Sequence, residues 1–381
     1  MSIDRFHIVV GKLPIDSIVI DHPEEFAAQY GFTDVSVTLS YEKRDERRKA
    51  YISLLPNKAL VIVAEENAGR WLARSVSGTA GAILYGHNGR VLAEDSLIAF
   101  LCRLRHLCEK VVLSNYHDQI IPGESPKSLS YWSRLEIFFQ AWDVGGSLFM
   151  AMRNVRHPEI RTRALHYHEE TVSLKGKKVK FIVYNKTGQM ASTLEKYGEL
   201  PPPPILRFEL RLDSAALTKH FTHSRNFRKI EDHRRLVRFT ADDLKEVFLN
   251  FVGNLQGVYV DKSAKKVPAV ARFLGQISRR TGLPTLELAE LYAAEKQLSA
   301  KSLSQLRSDS AKHYAALGNT TAADLFSEEA FRNQPSIEVP KLEKAIGDMV
   351  TRFARGNLEI ARAYTNWGDQ ADGRFIPMPA A

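Results

Sequence analysis

The segment Leu206-Arg207-Phe208-Glu209-Leu210-Arg211-Leu212-Asp213 alternates strictly between apolar and charged residues. A period of two belongs to a strand, so this segment has one apolar face and one face carrying Arg207, Glu209 and Arg211. Clean alternation of this kind marks antiparallel sheet with one face on a core. Two more runs, 165–174 and 179–190, flank Lys175-Gly176-Lys177-Lys178 and read as a β-hairpin. Ser133 to Phe139 reads as a strand with Arg134 and Glu136 on one side, and the runs 36–43 and 51–65 read as antiparallel strands. An amphipathic helix is predicted over Ser96 to Lys110, and a short one over Gly146 to Arg153. Pro201 to Pro204 is a rigid spacer. Beyond Asp213 the apolar period becomes helical and stays so to about Ala363, including 241–255, 286–306 and 341–364. The expected class is therefore α+β, an antiparallel-sheet domain followed by an α-helical C-terminal domain. The predicted division is 1–222 for the α+β domain, 223–260 for a basic linker and helix, and 261–381 for a helical domain.

Composition narrows the function. The 381 residues carry 53 Lys and Arg against 44 Asp and Glu, and 44% are apolar. That balance excludes a wholly disordered chain or a collagen. No apolar run reaches the roughly 18 residues that cross a bilayer, so no membrane partner is expected. Charges scattered through the first 20 residues argue against a secretory signal, and a cytoplasmic location is expected. Cys102 and Cys108, the two cysteines, lie six apart in a predicted helix, in neither a disulfide framework nor a zinc knuckle. The net charge of +9 permits a polyanionic partner. No GxxxxGK[ST] loop is present, so unwinding by ATP hydrolysis is not expected of this chain.

The hairpin concentrates chemistry. With Gly176-Lys177 at the turn, Tyr184 pairs with Glu169 and Lys186 with Tyr167, and Tyr184 shares a face with Lys186. A phenol beside an ammonium and carboxylates suits phosphodiester transesterification: the phenolate attacks phosphorus and becomes covalently linked to the strand. Carboxylates could hold a divalent ion, and a neighbouring cation would lower the tyrosine pKa. The plain alternative is a Tyr/Glu/Lys face on a solvated sheet edge. His166-Tyr167-His168 is a second candidate, since the paired-histidine spelling is that of the two-histidine nickases. In the same register His166 and His168 lie on the face opposite Tyr184, and Tyr292 on a predicted helix would be an alternative nucleophile. Other polar stretches fit either a DNA contact or a solvated surface. These are Glu42 to Lys49, the Gly-flanked turn with His87 and Asn88, and Arg225 to Arg238, which contains Arg225, Arg228, Lys229, Arg234 and Arg235.

Five motifs in order resemble the replication initiators of filamentous phages, the phage replication-associated or gene II protein family. They are Leu84-Tyr85-Gly86-His87-Asn88-Gly89 with Asp95-Ser96-Leu97; Ser133-Arg134-Leu135-Glu136; Glu169-Glu170-Thr171-Val172; Val183-Tyr184-Asn185-Lys186; and Leu206-Arg207-Phe208-Glu209-Leu210-Arg211. The match spans about residues 80–220. The resemblance implies a rolling-circle nickase that leaves a 5′-phosphotyrosine and a free 3′-hydroxyl and later rejoins the strand without ATP. It maps the nucleophile onto Tyr184, with Lys186 beside it, and Mg²⁺ or Mn²⁺ ligands onto Glu136, Glu169 and Glu209. His87, Asn88, Arg134, Arg207 and Arg211 become DNA contacts. Where relatives often have Glu after the Tyr-x-Lys, this chain has Gln189. The implied partners are origin DNA, duplex and single-stranded, with the host's replicative helicase and DNA polymerase. The helical half would bind origin duplex, dimerise or dock the helicase. A rival expectation is a non-catalytic DNA-binding replication or transcription factor.

Overall fold

Ten strands organise the computed structural model: β1 (Ser2–Pro14), β2 (Ser36–Glu42), β3 (Arg47–Ser53), β4 (Leu60–Asn67), β5 (Arg70–Thr79), β6 (Tyr131–Trp142), β7 (Thr162–His166), β8 (Thr171–Lys175), β9 (Val179–Asn185) and β10 (Ile205–Asp213). They form one antiparallel sheet in the order β2-β3-β4-β5-β1-β6-β10-β9-β8-β7. The helices include α1 (Ile18–Asp21), α2 (Pro23–Tyr30), α3 (Ala80–Tyr85), α4 (Ser96–Glu109), α5 (Ser147–Met152), α6 (Lys186–Tyr197), α7 (Ser214–Phe221) and α8 (Ala241–Val252), with others such as Thr285–Glu295 and Glu328–Arg332 among the described residues. The fold is α+β. The structure describes residues 2–32, 34–42, 47–92, 96–125, 127–143, 147–152, 155–158, 160, 162–166, 171–221, 236, 238–255, 274, 285–307, 326 and 328–344. Among them no helix is long and apolar enough to cross a membrane.

Alternation sorts the central strands into two faces. Leu135, Ile137 and Phe139 of β6, Phe208, Leu210 and Leu212 of β10, and Phe181 and Val183 of β9 are all buried in the main core. Ala216, Leu217 and Phe221 of α7 and Leu244, Val247, Phe248 and Phe251 of α8 belong to the same core. Burying each large apolar side chain contributes roughly 1.5–3 kcal/mol. A capping box starts α8: Thr240 Oγ1 accepts from Asp243 N, and Asp243 Oδ2 accepts from Thr240 N at 2.7 Å. The opposite face of β6, β10 and β9 carries the polar residues.

Three expectations change. The run 165–174 is not one strand, because the chain turns between β7 and β8. In the β8–β9 hairpin Thr171 pairs with Tyr184 and Lys175 with Lys180, so Lys177-Lys178 make the turn and Glu169 is not Tyr184's partner. The apolar pairs Val172/Val183 and Leu174/Phe181 set this register, and it outweighs the preference of Gly176 for the turn centre. The helical period over 286–306 is interrupted after Glu295, where Gln297 takes a φ of 48°.

Candidate active site

Strand order determines which polar residues meet. β1, β6, β10 and β9 are consecutive neighbours, and on their shared polar face stand Asp4, Glu136, Glu209, Arg207 and Tyr184. Asp4 reaches this face at an irregularity of β1, where the β1–β6 register shifts between Ile3 and Phe6. Asp4, Glu136 and Glu209 are buried, and each offers a carboxylate oxygen within 4.8 Å of the other two. For a hard divalent cation with metal–oxygen distances of about 2.1–2.5 Å, opposite ligands lie roughly 4–5 Å apart, so three such oxygens fit one ion.

Cations neutralise the acids. Arg207 is fully buried: Nη1 lies 3.1 Å from Asp4 Oδ1 and 3.9 Å from Glu209 Oε1, and Nε donates to Gln140 Oε1 at 2.8 Å. Its Nη2 donates to the Asn88 carbonyl, and the guanidinium lies 3.9 Å from the Phe138 ring centroid. Arg211 Nε stands 2.6 Å from Glu136 Oε1. The Tyr184 hydroxyl donates to Glu209 Oε1. Lys186 is also fully buried and donates to Asn88 Oδ1 at 2.7 Å and Gln189 Oε1 at 2.6 Å.

Lys186 is not a strand residue facing Tyr167. It opens α6, because Asn185 caps that helix by accepting from Gly188 N at 3.0 Å. Gln189 therefore serves the lysine. Asn88 binds the site together, donating from Nδ2 to Asp4 Oδ1 at 3.2 Å. His87 is turned to a different partner: Nδ1 accepts from Gly89 N at 3.1 Å, so Nε2 carries the proton toward Glu343 Oε1 at 2.9 Å. Burial pushes the His87 imidazole below its ordinary value, although Glu343 pulls the other way.

Several expected members stand elsewhere. Arg134 is exposed on β6, paired with His7 and Asp213. Glu169, His168, Arg225, Arg228, Lys229, Arg234 and Arg235 lie outside the described residues. Because of the β7–β8 turn, His166, Thr171, Tyr184, Arg207 and Gln140 form one cross-sheet row, with His166 two strand spacings, about 10 Å, from Tyr184. Tyr292 packs in a separate small cluster with Leu274, Leu288, Ala289 and Leu306.

Sequence reasoning missed Asp4, Gln140 and the segment 334–343. Gln140 donates from Nε2 to the Pro335 carbonyl at 2.6 Å, and its backbone N–H donates to Gln334 Oε1 at 2.9 Å. Ile337 N donates to the Gly89 carbonyl at 3.1 Å. A Cβ on Gly89 would meet Ile337 Cβ at 2.9 Å, so the turn and this segment require glycine there. The segment holds Gln140, which in turn holds Arg207.

The electrostatics are those of charges forced together out of water. Burial, then Asp4, push the Glu209 carboxyl up to about 7, against the pull of Arg207. Burial pushes the Lys186 ammonium well below its ordinary value, with Arg207 adding repulsion. Burial would raise Asp4 too, but Arg207 and Lys186 bring it to a net value below the usual carboxylate range. The Tyr184 phenol is pushed well above its ordinary value by burial and by Glu209, with Arg207 pulling less strongly the other way. The expected lowering of the phenol pKa by a neighbouring cation is present through Arg207 but is outweighed by burial and the acids.

A pH prediction arises here. A carboxyl whose folded pKa is raised contributes stability that is present below its unfolded value and lost as pH rises through the folded one. Without divalent ions, Glu209 should therefore cost the fold stability between about pH 5 and 8. Lys186, shifted down, acts in the opposite sense at higher pH, so the informative comparison is with Glu209→Gln. Urea unfolding in EDTA should show the variant gaining on the parent protein at pH 8 relative to pH 5.5. A pH-independent difference would contradict the burial of an ionisable Glu209.

Compared with known proteins, the chain matches no protein-family model, and no curated protein matches it.

Proposed function

We propose that the protein is a site-specific DNA strand transferase that initiates rolling-circle replication, with Tyr184 as nucleophile. One observation carries this reading: a phenol donates to a carboxylate that belongs to a buried three-acid cluster, with two fully buried cations beside it. Tyr184 Oη attacks phosphorus while its proton passes to Glu209. The bond from phosphorus to the 3′-oxygen breaks, and that oxygen leaves as a 3′-hydroxyl after taking a proton. The phosphodiester bond energy is kept in the 5′-phosphotyrosine, so rejoining is the reverse reaction and needs no ATP. Asp4, Glu136 and Glu209 would hold Mg²⁺ or Mn²⁺, with Asp4 in the place that the resemblance gave to Glu169. When bound, such an ion supplies Lewis-acid polarisation of the phosphate and offsets the charge that raises the phenol pKa. Arg207 holds Asp4 and Glu209 in place, and Lys186 adds positive charge beside the Tyr184 ring, 5.8 Å from its centroid.

In this reading the protein acts in the host cytoplasm on duplex and single-stranded origin DNA, with the host's replicative helicase and DNA polymerase completing replication. The C-terminal half would bind origin duplex, dimerise or dock the helicase.

The direct experiment incubates supercoiled origin DNA with protein and Mg²⁺, then maps the peptide that retains nucleotide. Label on the peptide containing Tyr184 supports the reading, and label elsewhere or none at all refutes it. The metal assignment has its own expected result. Saturating Mg²⁺ or Mn²⁺ at about 100 times its Kd should stabilise the protein by about 2.7 kcal/mol. At a fixed ion concentration the gain should be larger at pH 8 than at pH 6, because a proton competes for Glu209 and raises Kd. Thermal unfolding with and without the ion checks this, and Asp4→Asn should remove most of the gain.

A further inference from the structure

The polar face continues past the carboxylates into a row of cations. Lys175 of β8 pairs directly with Lys180 of β9, and Lys180 pairs with Arg211 of β10. Three positive charges therefore stand side by side across three strands, with neighbouring Cβ atoms about 5 Å apart. Like charges directly opposite one another destabilise a sheet, so this arrangement opposes folding. Glu136, next in the row, pairs with Arg211 and, with Glu209, acts on Lys180 from one side only; Lys175 and Lys180 face each other directly, and Asp213 is engaged by the Ala215 and Ala216 amides at the start of α7. Burial and the crowding of Arg211 and Lys175 push the Lys180 ammonium below its ordinary value. Lys175 is exposed and Lys180 and Arg211 are half-buried, so solvent reaches the row. Exposed Arg134, two residues along β6 from Glu136, and exposed Arg5 on β1 extend the positive surface toward the sheet centre.

We propose that Lys175, Lys180 and Arg211, flanked by Arg134 and Arg5, form a phosphate-binding track that leads a nucleic-acid strand along the accessible end of the polar face toward the buried Tyr184. This rests on the nucleic-acid reading above and adds the path of the strand. The ligand is a phosphodiester backbone: it contributes the row of negative charges that a row of like-charged side chains lacks. Along β10 the track lies two residues, about 7 Å, from Glu209, and along β9 four residues, about 13 Å, from Tyr184. A strand held on it would place a phosphate one or two nucleotides away beside the phenol.

The test uses the full chain in EDTA, with a fluorescein-labelled 20-nucleotide mixed-sequence single strand and the corresponding duplex as probes. Anisotropy is read between 50 and 300 mM KCl. Lys175→Gln/Lys180→Gln should bind the single strand on the order of tenfold more weakly at 100 mM salt. The slope of log K against log salt should become shallower by about 1.4, two contacts at roughly 0.7 each. For the duplex the expected change is about 1.8. The larger affinity loss identifies which form occupies the track. Lys58→Gln/Lys127→Gln, on exposed loops, should leave both values unchanged. The Tm of Lys175→Gln/Lys180→Gln should equal or exceed that of the parent protein, since repulsion is relieved. An unchanged slope on both probes, or a Tm that falls together with affinity, overturns the track. If nucleotide is nevertheless retained on Tyr184, the nicking reading survives that failure. A parent protein that binds neither probe overturns both.

Discussion

Arg207→Met should destabilise the protein by about 3–5 kcal/mol, the cost of removing one partner from a buried ion pair. For a chain of this size that is a fall in Tm on the order of 10 °C. The substitution keeps an unbranched apolar side chain but removes the guanidinium over Phe138 and strands Asp4 and Glu209 without their nearest buried cation. It also frees Gln140 Oε1 and the Asn88 carbonyl, both of which accept from the guanidinium. The loss should shrink at pH 5, where protonation can neutralise the stranded acids, and in excess Mg²⁺, which can take over part of the neutralising role. Arg207→Met/Asp4→Asn should recover part of the loss, giving a coupling energy that a double-mutant cycle reads directly. Denaturant unfolding of the four proteins decides the matter. A single variant within about 1 kcal/mol of the parent, or strict additivity, would mean that Arg207 does not neutralise this cluster.

The parts of this site that were legible in the sequence are those written twice, once on each face of a strand. β10 displays its apolar and charged faces in alternate letters, so Arg207, Glu209 and Arg211 could be placed together from sequence, as could Arg134 and Glu136. Register is different information. Moving the β8–β9 turn by one residue replaces Glu169 with Thr171 opposite Tyr184, against only the weak preference of Gly176 for the turn centre. Only the packing of Val183 against Val172 and Phe181 against Leu174 distinguishes the two. The α6 start did leave a local trace, since Asn185 three residues before Gly188 is a favourable N-cap, but the run 179–190 reads as one strand straight through it. Asp4 left none. It stands beside Arg5 near the start of the chain in no recognisable spacing, and it becomes a partner of Glu209 only because β1 lies beside β6 and shifts register near Asp4. The contact of Gln334 and Pro335 with Gln140 spans 194 and 195 residues, beyond any local pattern.

Tyr184→Phe should abolish the covalent protein–DNA adduct, a loss of more than about 10³-fold, while nucleic-acid affinity changes by less than about twofold. The hydroxyl is the proposed attacking group, and phenylalanine fills the same space in the sheet's polar row. Stability should change by about 1–3 kcal/mol, because the hydrogen bond to the Glu209 carboxylate is lost. The pH profile separates nucleophile from scaffold. If Glu209 takes the phenol proton, adduct formation should rise with pH as its carboxyl ionises and then level off, and bound Mg²⁺ should move that rise below the value of about 7 held by the ion-free carboxyl. In Glu209→Gln that limb should disappear along with most of the rate. A tyrosine that only braces the cluster would give another pattern: Tyr184→Phe would lower stability and DNA affinity together, and adduct yield would follow the fraction folded. Gel mobility of labelled DNA after denaturation in detergent measures the adduct directly. A normal adduct yield from Tyr184→Phe would remove Tyr184 from the chemistry and leave the buried acids as a structural cluster.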